Sequence, residues 1–186
     1  MLILVRHGRT EANAQGLLQG RLDLPLDSVG ADQAIAVAQR IGRADELISS
    51  PLQRARQTAD AFGQDYTIDD RWLELAYGEF EGTSYQGIAG VWTQWNKDPH
   101  YAPAGGESLA TLDARVGEAL DELLERSADR VVVVITHVSP IKAAVARVVG
   151  GGLDFAVRSH LSHAAICRIE IRPIGAVLFS FNETVA

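Results

Sequence analysis

The chain has 186 residues, of which 47% are hydrophobic and 22% charged, and this fits one compact domain over residues 1–186 with a sizeable buried core. Its formal charge of -7 argues against a nucleic-acid or anionic-membrane surface, and its single cysteine excludes an internal disulfide framework. The apolar runs are too short for a signal-peptide core or a membrane span, so we expect a cytoplasmic protein without a membrane partner.

Strands and helices are predicted to alternate along the chain. Short apolar runs predict the strands, which are 2–5, 47–50, 66–68, 131–136, 164–171 and 176–181. Amphipathic spacing predicts the helices, which are 28–41, 51–62, 107–126 and 139–149. Ser28 is expected to cap the first helix, and Pro51 suits the first turn of the second. The alternation predicts an α/β fold whose mixed or parallel sheet is covered on both faces.

Three predicted strands end in residues that suit the binding of an anion. These ends are 6–8, 49–51 and 136–137. In open α/β sheets, sites gather at the carboxyl ends of strands, so we expect the three segments to meet. Arg6 carries a planar charged fork that matches two phosphate oxygens, and Gly8 removes a side chain that would hinder a ligand.

Two histidines and one arginine are candidates for the same site. Arg54 lies near the start of a predicted helix, where the helix dipole favours an anion, whereas Arg56 points to another face. His137 could hydrogen-bond phosphoryl oxygens and stabilise charge in a transition state. Taken singly, His7 and His137 are also compatible with packed histidines, and Arg54 with a solvated arginine.

Glu74 is the candidate acid. A carboxyl group between apolar neighbours is suited to give a proton to a leaving alkoxide, whereas Glu79 and Glu81 resemble solvated carboxylates. Around Glu74 the sequence is rich in aromatic residues, and we expect residues 72–106 to form a flap or insertion over the site. These aromatic side chains could pack in the core, contact the non-phosphate part of a substrate, or do both.

The ordered motifs resemble those of the histidine phosphatase superfamily, also called the phosphoglycerate mutase-like family. An Arg-His-Gly triplet alone is weak support, but here further motifs follow in the order found in the family. The resemblance is carried by the segments 4–13, 19–20, 23–26, 49–59, 74–82 and 136–137. It implies a three-layer α/β/α sandwich with a mostly parallel central sheet, and it implies that no metal or other cofactor is needed.

The same resemblance implies roles for individual residues. His7 would be phosphorylated during turnover, with Glu74 as the proton donor. Phosphate or substrate would be bound by Arg6, Asn13, Gln19, Gly20, Arg54, His137 and Val138. Two positions depart from the family pattern: Arg9 stands where Glu or Gln is frequent, and Val138 replaces the glycine that commonly follows the second histidine.

The family contains mutases as well as phosphatases. Its phosphoglycerate mutases are usually longer and carry basic residues in the middle insertion, whereas Lys97 is the one lysine or arginine between positions 83 and 106. This favours hydrolysis of a small phosphorylated metabolite over isomerisation of phosphoglycerate. The resemblance implies that hydrolysis proceeds through a phosphohistidine, and we expect the protein to be a monomer or homodimer. A cofactor-dependent phosphoglycerate mutase, a phosphoprotein phosphatase and a non-catalytic phosphate-binding module remain alternatives, and the sequence does not name the substrate.

Overall fold

The strands assemble into one mixed sheet. A computed structural model describes residues 1–185, without the side chains of 87–89, 96, 153, 154 and 157, so residue 186 at the end of the predicted domain lies outside the described residues. Within them the strands are β1 (Leu2–Arg6), β2 (Glu46–Ser49), β3 (Thr67–Ile68), β4 (Val132–Thr136), β5 (Ile166–Arg172) and β6 (Gly175–Glu183). Their order is β3-β2-β4-β1-β5-β6. The pairs among the first four strands are parallel, and β5 and β6 join antiparallel, which confirms the predicted mostly parallel sheet.

Helices connect most of these strands. They are α1 (Glu11–Ala14), α2 (Ser28–Ile41), α3 (Gln53–Asp60), α4 (Ala89–Lys97), α5 (Leu109–Arg126), α6 (Val138–Val149) and α7 (Gly152–Arg158). The helices α1, α4 and α7 were not predicted. One turn in α1 and two in α7 give too few residues for a periodic apolar pattern. Helix α7 begins two residues after Gly150, whose left-handed backbone (φ 65°) ends α6.

Two predicted helix starts are wrong in detail. The cap of α2 is Asp27 and not Ser28, because the Asp27 carboxylate accepts the N–H of Gly30 at 2.7 Å. Helix α3 begins at Gln53, so Pro51 precedes it instead of forming its first turn. Leu52 has an extended backbone (φ -69°, ψ 138°), which prevents an earlier start.

The sheet is covered on both faces. Since side chains alternate along a strand, Leu2 and Leu4 of β1 face one way and Ile3 and Val5 the other. The first face packs against α5 and α6, through residues that include Leu112, Val116, Leu120, Ile141 and Val145. The second face packs against α2 and α3, through Val37, Ala55 and Ala59. The three layers agree with the expected α/β/α sandwich.

The parallel pairing brings the three predicted strand ends together. Arg6 is in register with Thr136, and Ser49 is in register with Ile135, so β1, β4 and β2 end at the same edge of the sheet. The segments that follow these strands therefore meet there, as predicted. None of the helices among the described residues combines the length and apolar character needed to cross a membrane.

Candidate active site

A cavity of about 860 Å³ opens at this edge of the sheet. Because it lies at the carboxyl ends of parallel strands, it occupies the usual position of a ligand site in an open α/β fold. Its wall contains the residues predicted for the site apart from His137, namely Arg6, His7, Asn13, Gln19, Gly20, Arg54, Glu74 and Val138.

His7 is held as a neutral ring with a defined tautomer. Its Nδ1 lies 2.7 Å from the carbonyl oxygen of Gly8, so this nitrogen carries the proton, and Nε2 accepts a hydrogen bond from Arg54 Nε at 3.2 Å. Burial lowers the pKa of His7 well below its usual range, and the positive charges of Arg54 and Arg6 lower it further. At neutral pH the ring therefore keeps an unprotonated Nε2 in the cavity wall.

Arg54 contacts both His7, the candidate nucleophile, and the loop that follows α1. It is 1% exposed, and its terminal nitrogens donate to the carbonyl oxygens of Leu22 and Gly20, each at 2.7 Å. Burial lowers the pKa of Arg54 to about 10, so the side chain is still cationic at neutral pH. Arg56 is exposed and outside the cavity wall, as its position on the helix predicted.

Other polar groups in the wall keep unused hydrogen-bonding capacity. Arg6 donates from Nη1 to the carbonyl oxygen of Leu161 at 2.7 Å, but its buried Nε has no partner among the described residues. The buried Oε1 of Gln19 is likewise without a partner there. The side-chain oxygen of Asn13 is used locally, since it accepts the N–H of Thr10 at 3.2 Å. Buried polar atoms of this kind are costly unless a ligand or water satisfies them.

Gly8 is needed for packing and not for ligand approach. A Cβ atom at this position would collide with the carbonyl oxygen of Gly30 in α2. The N–H of Gly8 is also already used, because it donates to Thr58 Oγ1 at 3.1 Å. The expectation that this glycine opens space for phosphate is therefore wrong, and its role is to let α2 lie against the end of β1.

His137 lies behind the cavity wall. It is fully buried, and its ring centre is 5.1 Å from that of His7. Its Nε2 lies 2.7 Å from Ser50 Oγ, and its Nδ1 has no partner among the described residues. Burial, together with the charge of Arg54, lowers the pKa of His137 well below its usual range. Ser50 thus orients this histidine, a function that the sequence did not assign to it.

The surroundings of Glu74 differ from those predicted. Its Oε1 accepts the N–H groups of Leu75 (2.8 Å) and Ser139 (3.1 Å), and its Oε2 accepts the N–H of Val138 (3.2 Å). The carboxyl group is buried, and two of the three N–H groups that it accepts belong to the first turn of α6. The backbone N–H of Val138 is thus present in the site, but Glu74 accepts it in this structure.

Arg115 fixes the backbone that carries Glu74, and sequence reasoning missed it. Its guanidinium donates to the carbonyl oxygens of Arg71 (2.6 Å), Leu73 (2.8 Å) and Glu74 (3.3 Å). The buried Glu107 pairs with the same guanidinium at 2.7 Å. Most of these contacts are to backbone oxygens, which leave no motif in the sequence.

The aromatic stretch contributes side chains both to the core and to the cavity wall. Trp72 and Trp95 are fully buried in the core. Tyr77, Tyr85 and Trp92 line the cavity. The rings of Tyr77 and Trp92 meet edge to face with centres 6.2 Å apart, so the core and the cavity wall are continuous.

Two further cations lie in the wall, and neither was predicted. Lys142 donates from Nζ to the carbonyl oxygens of Ala156 (2.9 Å) and Ser159 (2.5 Å), and burial lowers its pKa. Arg147 pairs with Asp113 at 2.7 Å. These side chains line the part of the cavity farther along α6 from the phosphate candidates.

Arg9 and Lys97, the cations discussed from the sequence, lie outside the wall. Arg9 turns to Asp27, with Nε 2.7 Å from the carboxylate, and Lys97 is exposed. Within the part of the chain whose side chains are described, no group of three or more histidine, cysteine or carboxylate side chains could hold a metal ion.

Comparison with known proteins agrees with this geometry. The sequence model of the histidine phosphatase superfamily (branch 1) matches residues 2–184. A glucosyl-3-phosphoglycerate phosphatase of Mycolicibacterium vanbaalenii is 34% identical over 82% of this chain and 76% of its own length. Phosphoserine phosphatase 1 of Hydrogenobacter thermophilus is 34% identical over 82% of this chain and 78% of its own length.

A solved structure gives the same fold. The crystal structure of a phosphoserine phosphatase mutant from Entamoeba histolytica in complex with phosphoserine superimposes with a TM-score of 0.90. The two are 28% identical, and the match covers 98% of this chain and 96% of the other. The chain belongs to the histidine phosphatase superfamily and is an enzyme of its phosphatase type.

Proposed function

We propose that this enzyme hydrolyses phosphate monoesters of small molecules in two steps, through a phosphohistidine on His7. The observation that carries the proposal is the state of the His7 ring. Its Nδ1 proton is directed to the carbonyl oxygen of Gly8, and its Nε2 lone pair is in the wall of a cavity beside two buried arginines. A neutral imidazole so oriented is prepared for attack on phosphorus.

In the first step, Nε2 attacks phosphorus in line while the bond to the ester oxygen breaks. Arg54 must release Nε2 and turn its Nε–H to a phosphate oxygen, because the nucleophile needs that lone pair. The unpartnered Nε–H of Arg6 is a second donor for the phosphate. Such preorganised cations stabilise the charge that spreads over the equatorial oxygens.

His137 is proposed to contribute through its Nδ1. If Ser50 donates its hydroxyl proton to Nε2, the proton of the neutral ring is on Nδ1, which has no partner among the described residues. A phosphoryl oxygen in the cavity would be an acceptor for this donor. Asn13, Gln19 and Gly20 complete the phosphate side of the wall.

Glu74 is proposed to move the proton in both steps. In the first step its carboxyl group protonates the departing alkoxide, which leaves as an alcohol. In the second step the carboxylate takes a proton from water, the water oxygen attacks phosphorus, and the bond to Nε2 breaks to release inorganic phosphate. When phosphate occupies the site, it is a competing acceptor for the N–H of Val138, which frees one oxygen of Glu74.

The depth of the site supports a small molecule as substrate instead of a phosphoprotein. His7 is 3% exposed and Arg54 is 1% exposed, so the phosphate must enter a buried position. We propose that residues 72–106 act as a flap within one domain, since Tyr77, Tyr85 and Trp92 line the cavity. The two relatives are named for glucosyl-3-phosphoglycerate and for phosphoserine.

The proposal is tested by screening phosphate monoesters with the wild type and with His7→Ala. We expect wild-type hydrolysis to persist in EDTA, because Arg6 and Arg54 supply the cationic charge, and we expect the variant to lose it by at least about 1000-fold. Equal hydrolysis by both proteins would contradict the mechanism. Incubation with 3-phosphoglycerate and its bisphosphate primer should yield free phosphate, and an isomer as main product would instead show a mutase.

The role of Glu74 is tested by the dependence on the leaving group. Glu74→Gln should slow esters of poorly acidic alcohols about 100-fold, but nitrophenyl phosphate far less, because nitrophenolate leaves with little protonation. Glu79→Gln is the matched control, since Glu79 is exposed and outside the cavity wall. Equal losses with both kinds of ester would assign the acid role to another group.

A further inference from the structure

The cavity continues well beyond the phosphate site along one face of α6. Its wall takes residues from every turn of this helix, from Val138 in the first turn through Ala143 and Ala146 to Gly150 after the last. At 1.5 Å per residue, the 12 steps from 138 to 150 span roughly 18 Å. A phosphate ester with a three-carbon body would occupy only the polar end of such a space.

Small side chains on α6 create this extension. Ala143 and Ala146 are buried yet border the cavity, and a longer side chain at either position would fill part of it. Helix α5 contributes Leu109, Ala110 and Leu112 to the wall besides Asp113, and Ala156 of α7 adds another small residue. The volume of about 860 Å³ is near the upper end of the range that encloses drug-sized ligands.

The charged groups in this part of the wall are already paired within the chain. The ammonium group of Lys142 donates to two carbonyl oxygens, and Arg147 is neutralised by Asp113 at the exposed end. Apart from these charged side chains and Ser139 in the first turn of α6, the described residues of α5, α6 and α7 that line the cavity are apolar or glycine. A carboxylate next to the phosphate would have to displace the contacts of Lys142, whereas an aliphatic chain would displace none.

From these features we infer that the space between α5, α6 and α7 is a binding site for the apolar body of the substrate. The preferred substrates are phosphate monoesters of extended aliphatic alcohols. This inference rests on the proposed phosphatase function, because the phosphate must be held at His7 for the chain to extend along α6. Burial of each methylene should raise kcat/KM, by about two- to fourfold per group while the cavity accommodates it.

The test is a chain-length series of n-alkyl phosphates from butyl to decyl, with phosphoserine for comparison, all below their micelle-forming concentrations. We expect kcat/KM of the wild type to rise along the series and to exceed the value for phosphoserine by at least about 100-fold at decyl. A flat series, or phosphoserine as the better substrate, would overturn the inference.

Variants locate the effect in the cavity. Ala143→Leu and Ala146→Leu should lower kcat/KM for decyl phosphate at least tenfold and for butyl phosphate less than twofold. The control is Val149→Leu, on the same helix but exposed and outside the wall, which should change neither value. A loss shared equally by both esters would overturn the assignment, and the wild-type series decides the question if a variant does not fold.

His7→Ala, measured with the same series, separates this inference from the proposed function. Hydrolysis that depends on His7 but not on chain length would reject the apolar site and leave the phosphatase mechanism standing. Hydrolysis that does not depend on His7 for any ester would reject the mechanism itself.

Discussion

The two ends of the cavity are built from different kinds of element. At the phosphate end, residues at the ends of β1, β4 and β2 and at the start of α3 present buried polar groups, and Arg6 Nε and His137 Nδ1 have no partner among the described residues. At the other end, faces of α5, α6 and α7 present small or aliphatic side chains, and the charges there are paired. In our proposal, one end of the cavity binds the phosphate group and the other end binds the organic group that the phosphate is attached to.

Because the two ends are built differently, we expect the phosphate end to determine the rate of the reaction and the apolar end, formed by α5, α6 and α7, to determine which ester is preferred. Strand ends converge because parallel pairing forces them to, so a change in their side chains disturbs the sheet as well as the site. A helix face can exchange alanine for a larger residue and change the shape of the cavity with little effect on the sheet. We therefore expect substitutions at the phosphate end to affect alkyl phosphates of every chain length alike, and substitutions at the apolar end to have effects that depend on chain length.

The largest effect should come from Arg54. Arg54→Gln removes a buried cation beside His7, the proposed nucleophile, and we expect kcat/KM to fall about 100- to 1000-fold, equally for butyl and decyl phosphate. Arg56→Gln is the matched control two residues further along α3, and its kcat/KM should stay within twofold of wild type. A loss confined to one ester would break the proposed separation of the two ends.

A substitution at Gly8 should show how much the packing at the phosphate end contributes to the stability of the fold. Gly8→Ala places a methyl group against the carbonyl oxygen of Gly30, so we expect the free energy of unfolding to fall by about 2–3 kcal/mol. Urea denaturation measures this change. Gly90→Ala is the control, because a Cβ there meets no described atom within 4 Å, and it should be neutral or stabilising. Unchanged stability of Gly8→Ala would refute the packing role.

Arg115 should act on the reaction only through the position of Glu74. Arg115→Gln loses contacts to three carbonyl oxygens, and we expect about a tenfold fall in kcat for alkyl phosphates, but a smaller one for nitrophenyl phosphate. Arg115→Lys should restore part of the loss. Arg126→Gln is the control, on the same helix with an exposed ion pair to Glu46. If all leaving groups slowed equally, Arg115 would be merely structural.

The smallest effect concerns stability at acidic pH. Burial holds the pKa of His137 well below 6.5, so below about pH 6.5 the unfolded chain binds a proton that the folded chain does not. The free energy of unfolding should therefore fall between pH 7.5 and 5.5, by about 1 kcal/mol for this histidine. His137→Gln should show a correspondingly flatter dependence, and an unchanged slope would mean that the buried ring is protonated.

The phosphate end could be predicted from the sequence because its residues follow strands directly. Arg6 and His7 come at the end of β1 and His137 after β4, and the paired strands place them at one edge. The motif identifies Glu74 as a site residue, but it does not show which groups surround the carboxyl group. Two of the N–H donors to this carboxyl group belong to residues 138 and 139 at the start of α6. Neighbours in sequence do not show which groups a loop residue meets in space.

The apolar end could not be predicted for a related reason. Ala143 and Ala146 repeat at helical spacing, and such residues indicate a helix buried in the core as readily as the wall of a cavity. Whether they contact a side chain or enclose empty space depends on how α5 and α7 pack against α6. That arrangement leaves no local pattern in the sequence.

The stereochemical outcome at phosphorus tests the central claim most directly. A phosphate ester made chiral with sulfur and oxygen isotopes should be hydrolysed with net retention, because attack by His7 and attack by water each invert the configuration. Net inversion would show that water attacks the ester directly, and it would contradict the phosphohistidine on His7.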